Sequence, residues 1–419
     1  MKKPRETALL ILYKTQYEGA YANLELKSSI PPETDKRDRA FITSLVYGVM
    51  SRRLTLDYII EQYSKIKMKK LSKYIHIILQ MGLYQIFFTE KIPQSAAVNE
   101  SVKLASRYGH RASAGFVNGI LRAAASNGIK YPADGIKRLS VMYSFPEWIC
   151  EKWVKELGES FTEEMLAALN SEPQLTLRPN RLKITAETLA DRLQKNGAQA
   201  DVKNGAVVCS GLNVGADELY KQGFYTVQDR AAMTAAETLA PKAGELVIDM
   251  CAAPGGKTTH MAELMENEGK ILAFDIHEHK IHLIEENAER LGISIITAQK
   301  ADASKPRAEL AGTADKVLCD VPCSGWGIVR RKPDIKYNRS PEDSFFEIQY
   351  AILKSGAEYL KTGGELVYST CTVEKSENEG VTGFFLENNT DFEKVFEKTY
   401  YPNVDGTDGF YICKIRKAM

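Results

Sequence analysis

Two cysteines stand where short apolar runs give way to loops: Cys323 in "KVLCDVPCSG" and Cys371 in "GGELVYSTCT". In the plainest reading such a thiol is a small hydrophobe closing a strand. No histidine, second cysteine or metal-ligand spacing lies beside Cys371, so no metal site is read here. The separation of the two is not the two-residue redox motif. On neighbouring strands, however, the thiols would converge. Two chemistries are then open, a disulfide couple or thiol addition to an aromatic base. Asp320 leaves the strand just before Cys323, and Pro322 stiffens the turn between them. Taken alone, "VLCD" also fits the acidic strand of a nucleotide hydrolase, which would need a phosphate loop elsewhere in the chain.

That phosphate loop is missing. "VIDMCAAPGGKTTH" reads as strand, tight loop and helix. Gly255 and Gly256 let the backbone approach a ligand closely, and the helix start beyond them favours anionic or polar groups. Gly256-Lys257-Thr258 fits the end of a Walker loop, but position 251, where its first glycine belongs, is cysteine. The spaced glycines of a dinucleotide fingerprint are absent too, because Ala252, Ala253 and Pro254 fill the loop. A nucleoside-type ligand without a pyrophosphate remains. Asp275, at the end of "LAFDI", stands nineteen residues past Gly256, where an acid can grip two ribose hydroxyls. Asp302, in "KADAS", follows the next strand and falls near a purine edge. Either acid alone reads as a helix cap or turn residue. Three features at successive strand ends, in order, make a ligand site the stronger reading.

The elements that position these residues occupy 228–419. "ELVIDM", "KILAFDI", "ISIITAQ", "KVLCDV" and "GGELVYST" are short apolar runs separated by helical patterns. This predicts a parallel sheet covered on both faces, with ligands at the carboxyl ends of its strands. Residues 1–140 recur apolar at helical spacing with no period-two strand, and Asp35 is placed to cap a helix. Between them, 141–227 predicts a small α+β connector, with strands in "QLTLRPN", "AVVCS" and "FYTV". A chain of 419 residues accommodates these three segments. Its net charge of +1 conceals a split. Residues 1–140 carry 23 Lys/Arg against 11 Asp/Glu, and the rest carry 32 against 43. A basic module on an acidic body, with the cluster "KIKMKKLSK" from Lys65 to Lys73, points to a polyanionic partner, most simply a nucleic acid. The longest apolar-rich stretch, Tyr74 to Phe88, is too short to span a bilayer, and no signal peptide is read. Seven scattered cysteines form no disulfide framework, so a reducing cytoplasm is expected.

"DMCAAPGGKTTH", "DVPCSGWGIVRRKPDIKY" and "YSTCT" together resemble the signature loops of the Sun/RsmB family of RNA 5-methylcytosine methyltransferases. "GFYTVQDRAAM", "TLRPN" and "DGFYICKIRK" extend the resemblance. "RDRAFITSLVYGVM" and "AVNESVKLASRYGHRASAGFVNGILR" are similar to a NusB-like RNA-binding domain. The resemblance implies an all-helical NusB-like domain, the connector, and a Rossmann-like α/β methyltransferase domain using S-adenosylmethionine. It implies methylation of carbon 5 of a cytosine in small-subunit (16S) ribosomal RNA through a covalent adduct at carbon 6. Transfer RNA as substrate and a non-catalytic assembly factor are the alternatives. By the same resemblance Cys371 is the nucleophile, and Cys323 helps to break the adduct. Asp320 bonds the cytosine near ring nitrogen 3 and borders the cofactor. Cys251, Ala252, Ala253, Pro254, Gly255, Gly256 and Lys257 line the cofactor, although Lys257 could instead approach the cytosine. Asp275 takes the ribose and Asp302 the adenine. Arg330, Arg331 and Lys332 are expected to hold RNA phosphates, and the protein is expected to be a monomer.

Overall fold

The stretch from Tyr74 to Phe88 is apolar nearly all round, and a helix of that kind must be surrounded. It forms the Lys73–Phe87 helix, buried from Ile75 to Leu83. The helices Pro4–Tyr17, Lys36–Ser51, Arg53–Tyr63, Gln94–Tyr108 and Ser113–Asn127 pack around it. Asp35 caps the Lys36–Ser51 helix by accepting from the Arg37 amide at 2.8 Å. The computed structural model describes residues 3–418. Its contacts gather the chain into two units. One runs to Asn170 and includes Val329–Pro341; the other comprises Ser171–Ile328 and the chain from Glu342 onward. Among the described residues the first unit contains no strand.

The helix over Glu147–Leu157, grouped with the connector in the sequence reading, packs in this helical unit instead. Hydrogen bonds explain why its neighbour Gly135–Tyr143 stays there. Thr55 donates to the Val141 carbonyl at 2.6 Å, and the Leu54 amide donates to Ser144 Oγ at 2.9 Å. The segment 329–341 is held in the same unit by a buried lysine. Lys336 Nζ reaches Asn170 Oδ1 at 2.7 Å and the Ser51 carbonyl at 3.1 Å, and lies 3.8 Å from the centre of the Phe145 ring. Burial, with the Arg52 charge adding to it, holds this ammonium well below the ordinary lysine range.

In the second unit, β1 (Leu175–Pro179), β2 (Gln199–Lys203), β3 (Ala206–Ser210) and β4 (Tyr225–Val227) form an antiparallel sheet in the order β2-β3-β1-β4. The Ala186–Lys195 helix packs on it through Leu189 and Leu193, with Thr185 as its cap. β2 was absent from the sequence reading: four of its five residues are exposed, so no apolar run marks it.

The larger sheet contains β5 (Leu246–Asp249), β6 (Lys270–Asp275), β7 (Ile296–Lys300), β8 (Ala314–Asp320), β9 (Leu360–Thr370), β10 (Phe392–Tyr400) and β11 (Phe410–Lys417). Its order is β10-β11-β9-β8-β5-β6-β7. β5 to β9 run parallel, as expected, and β10 and β11 add an antiparallel edge that the sequence reading did not call. Successive residues face opposite layers. Val247, Ile271, Leu318 and Val367 meet one set of helices, while Ile248, Leu272, Cys319 and Tyr368 meet the other. Both faces are therefore core, which explains the unbroken apolar runs.

Arg178, from "TLRPN", ties β1 to the first helix of the large sheet. It is 3 % exposed, pairs with Glu263 at 2.8 Å, donates to Thr259 at 3.0 Å, and also reaches Gln228 and the Gly256 carbonyl. Removing one partner of such a pair strands a buried charge, a cost of about 3–5 kcal/mol. Arg178→Met should accordingly lose about that much stability, read as a fall in the urea unfolding midpoint of the full chain.

Candidate active site

The parallel register sets the site. Asp320, last residue of β8, pairs with Ser369 of β9. The chains then continue three residues to Cys323 and two to Cys371, and the two sulfurs stand 3.2 Å apart. Both cysteines are half-buried. Burial and hydrogen bonding distinguish the thiols. Cys323 is pushed well up, first by its hydrogen bond to Cys371 and then by burial, and either thiol can be the donor in that bond. Burial and three nearby carboxylates push Cys251 well up as well, which leaves it a poor nucleophile.

A cation lies beside the pair. Lys257 Nζ bonds Asp320 Oδ2 at 2.7 Å and sits 5.1 Å from the centre of the Phe410 ring. Burial works against its charge, but Asp320 outweighs it and Cys371 adds to the effect, so the ammonium is held above its ordinary range. The sequence offered no partner to activate Cys371. Lys257, more than a hundred residues earlier, brings a positive charge into its field. The other oxygen of Asp320 accepts from Ser369 Oγ at 2.8 Å. Asp320 thus acts as an acceptor at both oxygens.

Backbone packing fixes the floor under Cys371. The Gly327 amide donates to the Cys371 carbonyl at 3.0 Å, and the Gly409 amide to the Gly327 carbonyl at 2.9 Å. A β-carbon on Gly327 would come within 2.0 Å of the Gly409 oxygen, so no side chain fits there.

The remaining predicted residues line the carboxyl edge of the sheet. The loop from Cys251 to Lys257 turns through a cis Ala253–Pro254 bond, and Gly255 takes φ of 101°, closed to ordinary side chains. Its amide donates to the Ala252 carbonyl at 2.7 Å, and Asn287 holds the Pro254 carbonyl at 2.9 Å. The start of the Gly256–Leu264 helix follows at once, so the loop presents backbone donors to a polar ligand. Asp275 is buried. One of its oxygens accepts from the His277 amide at 2.9 Å, and the other takes no hydrogen bond among the described residues. Such an oxygen suits a hydroxyl donor from a ribose. Asp302 accepts from the amide and hydroxyl of Ser304, which hold its carboxyl below the ordinary range. Arg330, Arg331 and Lys332 belong to the segment gathered with the helical unit, the first two half-buried and the third exposed.

Residues 236–416 match the family model described as 16S rRNA methyltransferase RsmB/F, residues 2–126 match the NusB family, and residues 145–214 match the ferredoxin-like domain of RsmF/B-like methyltransferases. Over its whole length, the chain is 38% identical to the whole of the probable ribosomal RNA small subunit methyltransferase B of Bacillus subtilis (strain 168). The chain belongs to the RsmB/F family of 16S rRNA methyltransferases. It is 32% identical to ribosomal RNA small subunit methyltransferase B of Proteus mirabilis (strain HI4320), over 93% of this chain and 94% of that one. The crystal structure of PH0851 superposes with a TM-score of 0.82 at 25% identity, over 100% of this chain and 99% of that one. A methyltransferase homologue from Pyrococcus horikoshii superposes with a TM-score of 0.60 at 29% identity, over 68% and 100%. RsmB/F membership makes the chain an RNA methyltransferase with a NusB helical domain and a Rossmann-like catalytic domain.

One titrating group was not foreseen. Asp249, at the end of β5, is buried and accepts from Thr258 Oγ1 at 2.7 Å. Burial pushes its pKa up to about 7. An acid whose folded value is raised keeps its proton longer in the folded chain. Folding is therefore penalised progressively from about pH 4, where the unfolded acid ionises, to about pH 7, where the folded acid ionises. Asp249→Asn removes that penalty. Its stability gain over the unmodified protein should grow from pH 4 to pH 7 and level off above, as measured by urea denaturation across that range.

Proposed function

We propose that this protein methylates carbon 5 of a cytosine in 16S ribosomal RNA through a covalent adduct between Cys371 and carbon 6 of the base. The observation that carries the reading is the pair of sulfurs at 3.2 Å, with the Lys257–Asp320 pair beside them. Carbon 5 of cytosine is a weak nucleophile. Addition of the Cys371 thiolate to carbon 6 forms a C–S bond and moves the ring's π pair onto carbon 5. The ammonium of Lys257 favours the thiolate that this step consumes. Asp320 accepts from the exocyclic amino group of the cytosine beside ring nitrogen 3, exchanging one of its present partners for the base.

The cofactor of this reading is S-adenosylmethionine, which when bound supplies an electrophilic methyl group to carbon 5. The residues present fit it. The backbone donors of the loop from Cys251 to Lys257 suit its methionine part, the open oxygen of Asp275 suits the ribose hydroxyls, and Asp302 suits the adenine edge. Transfer of the carbon 5 proton to water then returns the electron pair to the ring and expels the Cys371 sulfur as the thiolate. Cys323, in contact with that sulfur, assists the break.

A stacked cytosine cannot reach two thiols at a sheet edge, so the target base is unpaired or flipped out, at a cost of about a few kcal/mol. Phosphate contacts from the basic 1–140 module and from Arg330, Arg331 and Lys332 offset this cost. We propose the three-part division at 140 and 227 as the working unit, a monomer of the cytoplasm. No helix among the described residues is long and apolar enough to cross a membrane.

The test uses the full chain, transcribed 16S RNA and labelled S-adenosylmethionine. Cys371→Ala should abolish transfer, whereas Cys323→Ala should trap protein on RNA as a band that survives denaturing electrophoresis. Full activity in Cys371→Ala would overturn the assignment. Bisulfite sequencing of 16S RNA from a strain lacking the protein should reveal one cytosine that has lost its protection.

A further inference from the structure

The motif "STCTVEKSENE" contains two polar residues, Glu377 and Asn378, that the chemistry above does not use. Both are buried, Glu377 at 6% exposure and Asn378 at 0%. Each grips the flanks of a different cysteine. Asn378 Oδ1 accepts from Thr370 at 2.6 Å, and Asn378 Nδ2 donates to the Thr372 carbonyl at 3.1 Å, so both neighbours of Cys371 are held by one amide. Glu377 Oε2 accepts from the Ser324 amide at 2.8 Å and from Gln349 Nε2 at 3.1 Å. Gln349 Nε2 also donates to the Pro322 carbonyl at 2.9 Å, so both neighbours of Cys323 are held by the Glu377–Gln349 pair. The two clamps are joined. Ser324 Oγ meets Thr372 Oγ1 at 2.9 Å, and the Tyr368 hydroxyl donates to the Glu377 carbonyl at 2.6 Å.

We propose that Glu377 and Asn378 are the positioning residues that divide the catalytic cycle between the two thiols, Asn378 setting Cys371 for attack and Glu377 setting Cys323 for release. Neither touches the reacting atoms. Asn378 acts through the Thr370 hydroxyl and the Thr372 carbonyl, and Glu377 acts through the Ser324 amide directly and the Pro322 carbonyl by way of Gln349; a sulfur displaced by about 1 Å is enough to cost about a hundredfold in rate. This rests on the roles proposed for the cysteines. It differs from a general structural role, which would impair both steps and cofactor binding together.

The experiment compares variants of the full chain with transcribed 16S RNA and S-adenosylmethionine, scoring turnover, denaturation-resistant protein–RNA adduct, and cofactor affinity by calorimetry. Glu377→Ala should reduce turnover at least tenfold while adduct accumulates, as in Cys323→Ala. Glu377→Gln, which keeps an acceptor for the Ser324 amide, should restore release. Asn378→Ala should reduce turnover at least tenfold with no adduct accumulating, and cofactor affinity should be unchanged in all three. Gln349→Leu, which frees the Pro322 carbonyl, provides an independent variant should Glu377→Ala not fold, and it too should accumulate adduct. If Cys323→Ala traps adduct but neither Glu377→Ala nor Gln349→Leu does, the positioning role is wrong while the cysteine roles stand. If Cys323→Ala traps nothing, both fall together.

Discussion

The pairing of β8 with β9 is the constraint on which the site depends. These strands lie in the interior of the sheet, and their parallel register puts Asp320 opposite Ser369. A slip of one residue would turn every side chain of a strand to the other layer. Leu318 and Val367 would leave one core and Cys319 and Tyr368 the other, at the cost of both. Hydrophobic burial far below the site therefore fixes which strand ends meet, and so which cysteine loops are neighbours. They continue two strands whose alternation is already decided.

Above that floor, charge decides the roles. Three cysteines lie near the carboxyl edge, and their surroundings separate them. Cys251 is crowded by carboxylates, Cys323 is raised by its bond to Cys371 and by burial, and Cys371 lies in the field of the Lys257 ammonium. Asp320 connects the two sides of the edge. It holds the lysine that ends the nucleoside loop and is itself held by the strand that leads to Cys371.

Much of this was legible in the sequence because buried parallel strands write themselves as apolar runs, and the runs ended at Asp249, Asp275, Asp320 and Thr370, near the functional residues. Elements with little buried surface were not legible. β10, "FEKVFEKTY", alternates poorly and is mostly exposed, so composition hides it. Lys336 reads as one more charge in a basic stretch, yet it is 1% exposed. Only the carbonyls of distant helices show where its charge is satisfied. The partnership of Lys257 with Asp320 and the grip of Asn378 on two threonines are likewise side-chain geometry, which spacing along one chain does not encode.

The close approach of Gly327 and Gly409 behind Cys371 has a consequence in time. Gly409 leads into β11, which pairs with β9 from Tyr411 opposite Thr370 onward. On the ribosome, this segment emerges only after the Cys371 loop has been made. Until it docks, the loop lacks its rear wall and β9 is a sheet edge. A nascent chain with its helical domain already folded would thus still lack this packing, and the surroundings of Cys371 would be completed by residues translated later than itself.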